Sequence, residues 1–476
     1  MITEKKVTLL SLLLIVAFFI YSLGGINLPF YWDTGSFLIP ASHQMAQTND
    51  FLKYTISMTD YPHTFLLPLT LSFFFKFFNN PLPLIHLFSI LVSSLFLLLL
   101  IHISKTTHSI EKYLPLFLVA AFVTNPLFLS QTDLVYFEII GGLFRVLSIY
   151  FLSKKSYKNF VIFGLISFFI RFENGITLPL IGIFDLVFFE RKNKKLLLSN
   201  ILLISVTIAW FIAHFVFTGW WIFSPERYFD EKPLQALFES VSYLFLWQGR
   251  YIYTIFILLG TYFFLIHKES SLKHLLHKNK FFLLLIINSI PVFIIITKLG
   301  YFLPRYVFPV LLPFYLASYY FLKLLYAKNR YVAISLLILM PTVQYMNLEN
   351  CFSHNYEDCT YVRKLLNSKI TAIQYLESNH KNKLIYSYYE DSNSFNNKIL
   401  GFTEQQFIVT TDNTIPPEII YISPTSSGEL YQYAMVNDYT LEKSFYIGKD
   451  NCKINFPKIP CKRNNNKTIM IYTNEN

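Results

Sequence analysis

Apolar residues run through most of the chain in blocks of roughly 17 to 25, separated by short polar stretches. A helix rises about 1.5 Å per residue, so blocks of that length cross about 30 Å of hydrocarbon. They predict spanning helices at about 7–28, 82–104, 113–130, 134–153, 158–170, 175–189, 196–218, 251–267, 281–297, 303–325 and 331–347, about eleven in all. The pieces flanking Arg171-Phe172-Glu173-Asn174-Gly175 are short, which predicts two tilted helices or one broken one. A further block, Thr64–Phe78, is roughly 15 residues long, which suits an interfacial or re-entrant helix better than a span.

After about Asn347 the pattern changes: long apolar blocks stop, and Asn, Lys, Ser, Tyr and Thr dominate. Tyr361–Glu377 has helical spacing, while Lys383–Tyr389, Gln406–Thr410, Glu418–Ile422, Ser444–Ile447 and Thr468–Tyr472 are β-rich runs bounded by turn residues. The expected fold class is thus an all-α polytopic membrane domain over 1–347 followed by a small C-terminal α/β domain over 348–476. Within the first domain, 29–81 forms an outer loop with juxtamembrane helices.

Composition agrees: 54% of residues are hydrophobic and only 14% charged, too few charges to cover a soluble chain of 476 residues. A net charge of +11 would suit nucleic acid if it lay on one face, but Lys and Arg sit in short clusters between apolar blocks. That is the positive-inside pattern, so no nucleic-acid partner is expected. The block Val7–Gly24 is longer than a signal-peptide core and lacks a small-x-small cleavage site, so it reads as the first span.

Charge parity sets the topology. If Thr64–Phe78 does not cross, the clusters around Lys154, Arg191, Lys273 and Arg330 all lie on the side of Lys5 and Lys6; if it crosses, all lie opposite, against the bias. The expectation is an integral protein of the plasma (inner) membrane with a cytoplasmic N-terminus and an extracytoplasmic tail. Asp33, Asp50, Asp60, Asp133, Glu173, Glu226, Asp230, Glu231 and Glu239 then share an acidic outer face. Cys351, Cys359, Cys452 and Cys461 all fall in that outer tail, an even count that suggests two disulfides. Sequence-local pairing, Cys351 with Cys359 and Cys452 with Cys461, is preferred among the three connectivities; free thiols would require the opposite topology.

Asp33 follows the first span in Tyr31-Trp32-Asp33-Thr34-Gly35-Ser36, at the outer boundary. A carboxylate there can act as general base for an acceptor hydroxyl, hold a divalent cation such as Mg or Mn, or simply cap a helix. Asp133 and Glu138 open the fourth span, and Glu138 lies about one turn into an apolar helix, where an ionisable group is costly and a functional candidate. Arg145 stands seven residues on, two turns down the same face, so a structural salt-bridge network between helices competes with that reading. Arg171 and Glu173 mark the outer junction of the short fifth and sixth segments, and Arg305 opens the tenth span in Leu303-Pro304-Arg305-Tyr306. These arginines, with His63 in Tyr61-Pro62-His63-Thr64, can grip a phosphate or snorkel to lipid headgroups.

The order of these features resembles the GT-C superfamily of membrane glycosyltransferases, and within it the branch of protein O-mannosyltransferases and lipid A aminoarabinose transferases. The resemblance lies in the Asp after the first span, the long outer loop ending in a Pro-containing turn and amphipathic helix, Arg171-Phe172-Glu173-Asn174-Gly175 with Pro179, Arg305-Tyr306 with Pro309, and the terminal α/β domain. It covers nearly the whole chain and rests on order and spacing. It implies a polyprenyl-phosphate-sugar donor held among membrane lipids, an inverting displacement, and Asp33 as catalytic residue, with Asp133, Glu138 and Glu173 as acidic support. It also implies His63, Arg171 and Arg305 as donor-phosphate ligands, His63 standing near where relatives carry a His or Lys. Relatives often have a second acidic residue where this chain has Thr34, which leaves metal dependence open. The acceptor, whether protein, lipid or glycan, is open too. A transporter or flippase of a lipid-linked or anionic substrate, or an O-antigen polymerase or ligase, are the alternatives; no inverted repeat is visible, and the charges crowd one face rather than the midplane.

Overall fold

The computed structural model describes residues 3–48, 64–107, 112–219, 221, 232–266, 280–300, 302–352, 356–404, 406–412, 416–424, 426, 428–449 and 466–474. Among them, Glu4–Leu23, Leu82–Thr106, Lys194–Thr218 and Lys280–Leu299 are long and apolar enough to cross a membrane, and a pair bent by 60°, Leu114–Val123 with Pro126–Asp133, is a further candidate. The protein is an integral membrane protein. The first helix, α1 (Glu4–Leu23), shows why such helices need lipid. Val7, Ser11, Ile15, Phe18 and Ser22 face the bundle, while Leu9, Leu13, Val16 and Ile20 stand exposed at helical spacing. An outward apolar row of this kind is stable against hydrocarbon and unfavourable against water.

Thr64–Phe78 appears as a 12-residue helix, Leu66–Phe77, about 18 Å long and short of a span. The block expected as one span at 113–130 is instead broken. Pro126 has no N–H to continue the ladder, and the Asn125 side chain caps the new helix by accepting from the Phe128 N–H at 3.2 Å. Two helices outside the expected spans, Ile39–Gln47 and Pro233–Leu246, lie in stretches read from sequence as outer loops.

Three helices and one short turn frame the later argument. These are α2 (Phe137–Ser153), α3 (Asn174–Phe188), α4 (Lys280–Leu299) and the 3-10 turn Pro304–Val307. Buried polar bonds lock neighbouring helices: the Tyr315 hydroxyl accepts from Asn125 Nδ2 at 2.6 Å and from Gln344 Nε2 at 2.7 Å.

The tail folds as expected into an α/β unit. Helix α5 (Tyr361–Asn379) packs on a five-stranded sheet of β1 (Leu384–Ser387), β2 (Ile408–Thr410), β3 (Ile419–Ile422), β4 (Thr440–Lys449) and β5 (Asn466–Thr473). The order is β2-β1-β3-β5-β4, with β1 parallel to both neighbours and β5 antiparallel to β3 and β4. Cys351 and Cys359 are disulfide-bonded; Cys452 and Cys461 lie outside the described residues.

The tail grips one end of the helical domain. Arg363 on α5 gives Asp133 two bonds, at 2.6 and 2.7 Å, and a third to the Tyr21 carbonyl at 3.1 Å. Lys369 pairs with Asp391 and donates to the Tyr31 hydroxyl at 3.2 Å; burial alone would lower its pKa, but Asp391 and Tyr31 hold it up at about 12.

Candidate active site

Asp33 reaches its place through a tight turn. Trp32 adopts φ 55°, a left-handed conformation unusual for an aromatic residue, and a π-helical turn follows over Thr34–Leu38. Gly35 is required here, since a Cβ would come within 2.7 Å of the Phe30 carbonyl oxygen. The Thr34 hydroxyl donates to the Leu134 carbonyl at 2.7 Å and pins the turn beside the start of α2. Val135, at φ 56°, and Tyr356, at φ 61°, take the same strained region just before Tyr136 and Glu357. Left-handed non-glycine residues cost free energy and cluster where a fold over-determines a site.

Arg305 is the hub. Its two terminal nitrogens donate to Asp33, at 2.5 Å, and to Glu357; its Nε lies 3.5 Å from Glu138. Arg171 in turn meets both Glu138 and Glu173. The Arg305 guanidinium also lies 5.1 Å from the Tyr136 ring centroid and 5.6 Å from that of Tyr306, favourable cation–π distances. Glu357 arrives from the Cys351–Cys359 loop, whose backbone is clamped to the membrane helices. The Glu357 carbonyl accepts from Ser130 Oγ at 2.6 Å and Gln131 Nε2 at 2.9 Å, and the Asp358 carboxylate accepts from Gln248 Nε2 at 3.0 Å. Burial pushes the Glu357 carboxyl up to about 8, Arg305 opposing the rise and Asp33 adding to it.

This cluster lines part of a cavity of about 240 Å³, somewhat smaller than the ~300–1,000 Å³ of drug-sized sites. The opposite wall is apolar, made by Val292, Ile295, Ile296 and Leu299 of α4. A second polar edge comes from Asn174 at the start of α3, and Arg145, two turns along α2 from Glu138, completes the polar lining. Several buried acceptors here have no donor: Glu138 Oε2, Glu173 Oε2 and Asn174 Oδ1. Buried oxygens without donors are costly, and a ligand carrying hydroxyls would satisfy them.

The same fold is found in ArnT. The likeness is to the crystal structure of ArnT from Cupriavidus metallidurans bound to undecaprenyl phosphate, with a TM-score of 0.56 over 98% of this chain and 97% of that one, at 10% identity. At that identity the likeness is one of fold, and it extends over nearly the whole of both chains. No protein-family model matches the chain, and no curated protein sequence matches it.

Five of the residues singled out in the sequence, Asp33, Glu138, Arg171, Glu173 and Arg305, converge on the one cavity. Asp133 does not join them; it is held by Arg363 and ties α5 to the membrane domain. His63 lies outside the described residues. The interhelical salt-bridge network weighed from sequence forms around Glu138, through Arg171 and Arg305, but Arg145 is not part of it and instead bonds Asn288 and Thr177. Glu357 was missed altogether, because nothing in an Asp/Glu-containing loop between two cysteines indicates which carboxylate turns inward. Among the described residues no three His, Cys, Asp or Glu side chains converge as a metal set. The donor arrangement is that of an ion-pair cluster, with a guanidinium already on Asp33.

Proposed function

We propose that this chain is an inverting membrane glycosyltransferase that takes a sugar from a polyprenyl-phosphate carrier at the outer membrane face. The observation that carries the reading is the Asp33–Arg305 pair at a mainly apolar cavity with a charged edge. ArnT, solved with undecaprenyl phosphate, supports it as a shared fold. A lipid-linked sugar needs such a site: an apolar wall for the carrier, cations for its phosphate, acceptors for sugar hydroxyls and one base.

In the proposed reaction the acceptor hydroxyl oxygen attacks the anomeric carbon as its bond to the phosphate oxygen breaks. The electron pair leaves with the polyprenyl phosphate, and the hydroxyl proton passes to Asp33. Arg305 and Arg171 stabilise the departing phosphate. A guanidinium has five N–H donors, so each keeps some beyond those given to carboxylates. Glu138, Glu173 and Glu357 hold the two arginines in place. A detergent-solubilised preparation that turns a polyprenyl-phosphate-sugar over to polyprenyl phosphate and a glycosylated acceptor supports this reading. Identical glycolipids and glycoproteins in cells with and without the gene would overturn it.

The proposed topology places the N-terminus in the cytoplasm and residues 348–476 outside, because only that arrangement puts the basic clusters inside. Reporter fusions after Tyr326 and at Asn476 should report opposite sides. A cytoplasmic signal at Asn476 would reverse the assignment.

Glu357 predicts a pH dependence. Its carboxyl titrates near 8, so above that pH it turns anionic and competes with the donor phosphate for Arg305. Donor affinity should therefore fall as pH rises from 7 to 9, and Glu357→Gln should flatten the fall. The linkage sign is the same for folding. A carboxyl raised from 4.5 to about 8 contributes stability that is full below pH 4.5 and lost as pH rises through about 8. A binding isotherm series across that range, in both proteins, decides it; parallel profiles would remove Glu357 from the site's titration.

A further inference from the structure

Arg145 is 3% exposed, lies in the middle of the 17-residue helix α2, and makes no salt bridge to a carboxylate among the described residues. Its Nε donates to Asn288 Oδ1 at 3.1 Å and its Nη2 to Thr177 Oγ1 at 2.6 Å, both neutral acceptors. The carboxylates of the cavity are engaged elsewhere, Asp33 by Arg305 and Glu138 and Glu173 by Arg171. Asn288 Nδ2 is buried with no acceptor, and its amide orientation is set because Oδ1 already takes the Arg145 bond. Arg145 therefore bonds only neutral groups among the described residues, and Asn288 Nδ2 beside it is an unused donor. A buried guanidinium without an ion-pair partner is costly, and a bound anion would offset that cost.

Position indicates which anion. Arg145 lies seven residues beyond Glu138 on α2, about 10 Å deeper along the axis. A carrier phosphate stays at headgroup level, beside Arg171 and Arg305, and reaches no such depth. A sugar ring whose anomeric carbon sits at the rim does extend that way. Its hydroxyls would meet the donorless oxygens of Glu138, Glu173 and Asn174, and a substituent far from the anomeric carbon would arrive at Arg145.

We propose that Arg145 forms a carboxylate-binding subsite at the end of the cavity away from Arg305, with Asn288 orienting it from behind, and that the transferred sugar is a uronic acid or a comparably acidic sugar. The subsite rests on the transferase reading and narrows its substrate class. Arg145 also borders a second chamber of about 10 Å³ shared with Asn288, room for about one water-sized group behind the carboxylate.

The test is binding to the full-length protein in lipid nanodiscs of three probes: polyprenyl-phosphate-glucuronic acid, polyprenyl-phosphate-glucose and bare polyprenyl phosphate. The glucuronyl lipid should bind at least tenfold more tightly than the glucosyl lipid. Arg145→Gln should erase the difference and leave bare polyprenyl phosphate binding as in wild type. Asn288→Asp should do the same by placing a built-in carboxylate on Arg145, a change that pairs the charge and so keeps the helix intact. Equal binding of both sugars by the wild type would overturn the subsite and leave the transferase reading standing. Weaker binding of bare polyprenyl phosphate by Arg145→Gln would overturn it too, since Arg145 would then read the phosphate. Failure of all three probes to bind the wild type would overturn both.

Discussion

Asp33→Asn is expected to reduce transfer by about 10²–10⁴-fold while leaving the protein inserted and folded. The amide keeps the carboxylate's shape and still accepts from Arg305, whose bond to Asp33 is 2.5 Å long, but it takes no proton from the acceptor hydroxyl. A purely structural Asp33 would behave differently: the variant would lose stability, and its surviving fraction would retain normal turnover. Initial rates normalised to folded protein separate the two cases. Full activity of Asp33→Asn in membranes, with expression confirmed, would remove Asp33 from the chemistry.

The second large effect is expected at Arg305. Lysine keeps the charge but offers one ammonium where the guanidinium spans Asp33, Glu357 and the edge of Glu138. Arg305→Lys should therefore lose at least one charge-assisted hydrogen bond, worth about 1.5–3 kcal/mol, or about 10- to 150-fold in donor use. Arg171→Lys, which keeps Arg305 and Asp33 paired, should lower donor affinity with less effect on the maximal rate. The measurement is initial rate against polyprenyl-phosphate-sugar concentration for both variants. If the arginines only snorkel to headgroups, lysine serves equally well and both curves overlay the wild type's.

Much of this molecule is local and so legible in sequence. Hydrophobic block length identifies spanning helices because the bilayer imposes one length scale and the helix one rise. The tail strands were readable for a similar reason: each β-rich run between turn residues became a strand of the five-stranded sheet. The Cys351–Cys359 disulfide followed from an even cysteine count and short separation. Residues at the outer ends of spans could also be shortlisted, since an ionisable group at a membrane boundary is either solvated or engaged, and five of those named share the cavity.

What only the tertiary structure decided is partnership. Glu138 and Arg145 lie two turns apart on one face of one helix, which suggests a salt-bridge network between helices but not its members. Which neighbour each met depended on which helices packed alongside: Arg171 came to Glu138 and Asn288 to Arg145. Asp133 sits five residues from Glu138 yet turns to Arg363, 230 positions away, and becomes an anchor for the tail. Glu357 enters the cluster only because the disulfide loop is clamped by Ser130 and Gln131 from a distant helix. Length and polarity are properties of a segment and survive in the linear chain. A charge's partner is a property of packing, in which ion pairs form between whichever groups burial brings together, and no local pattern encodes it.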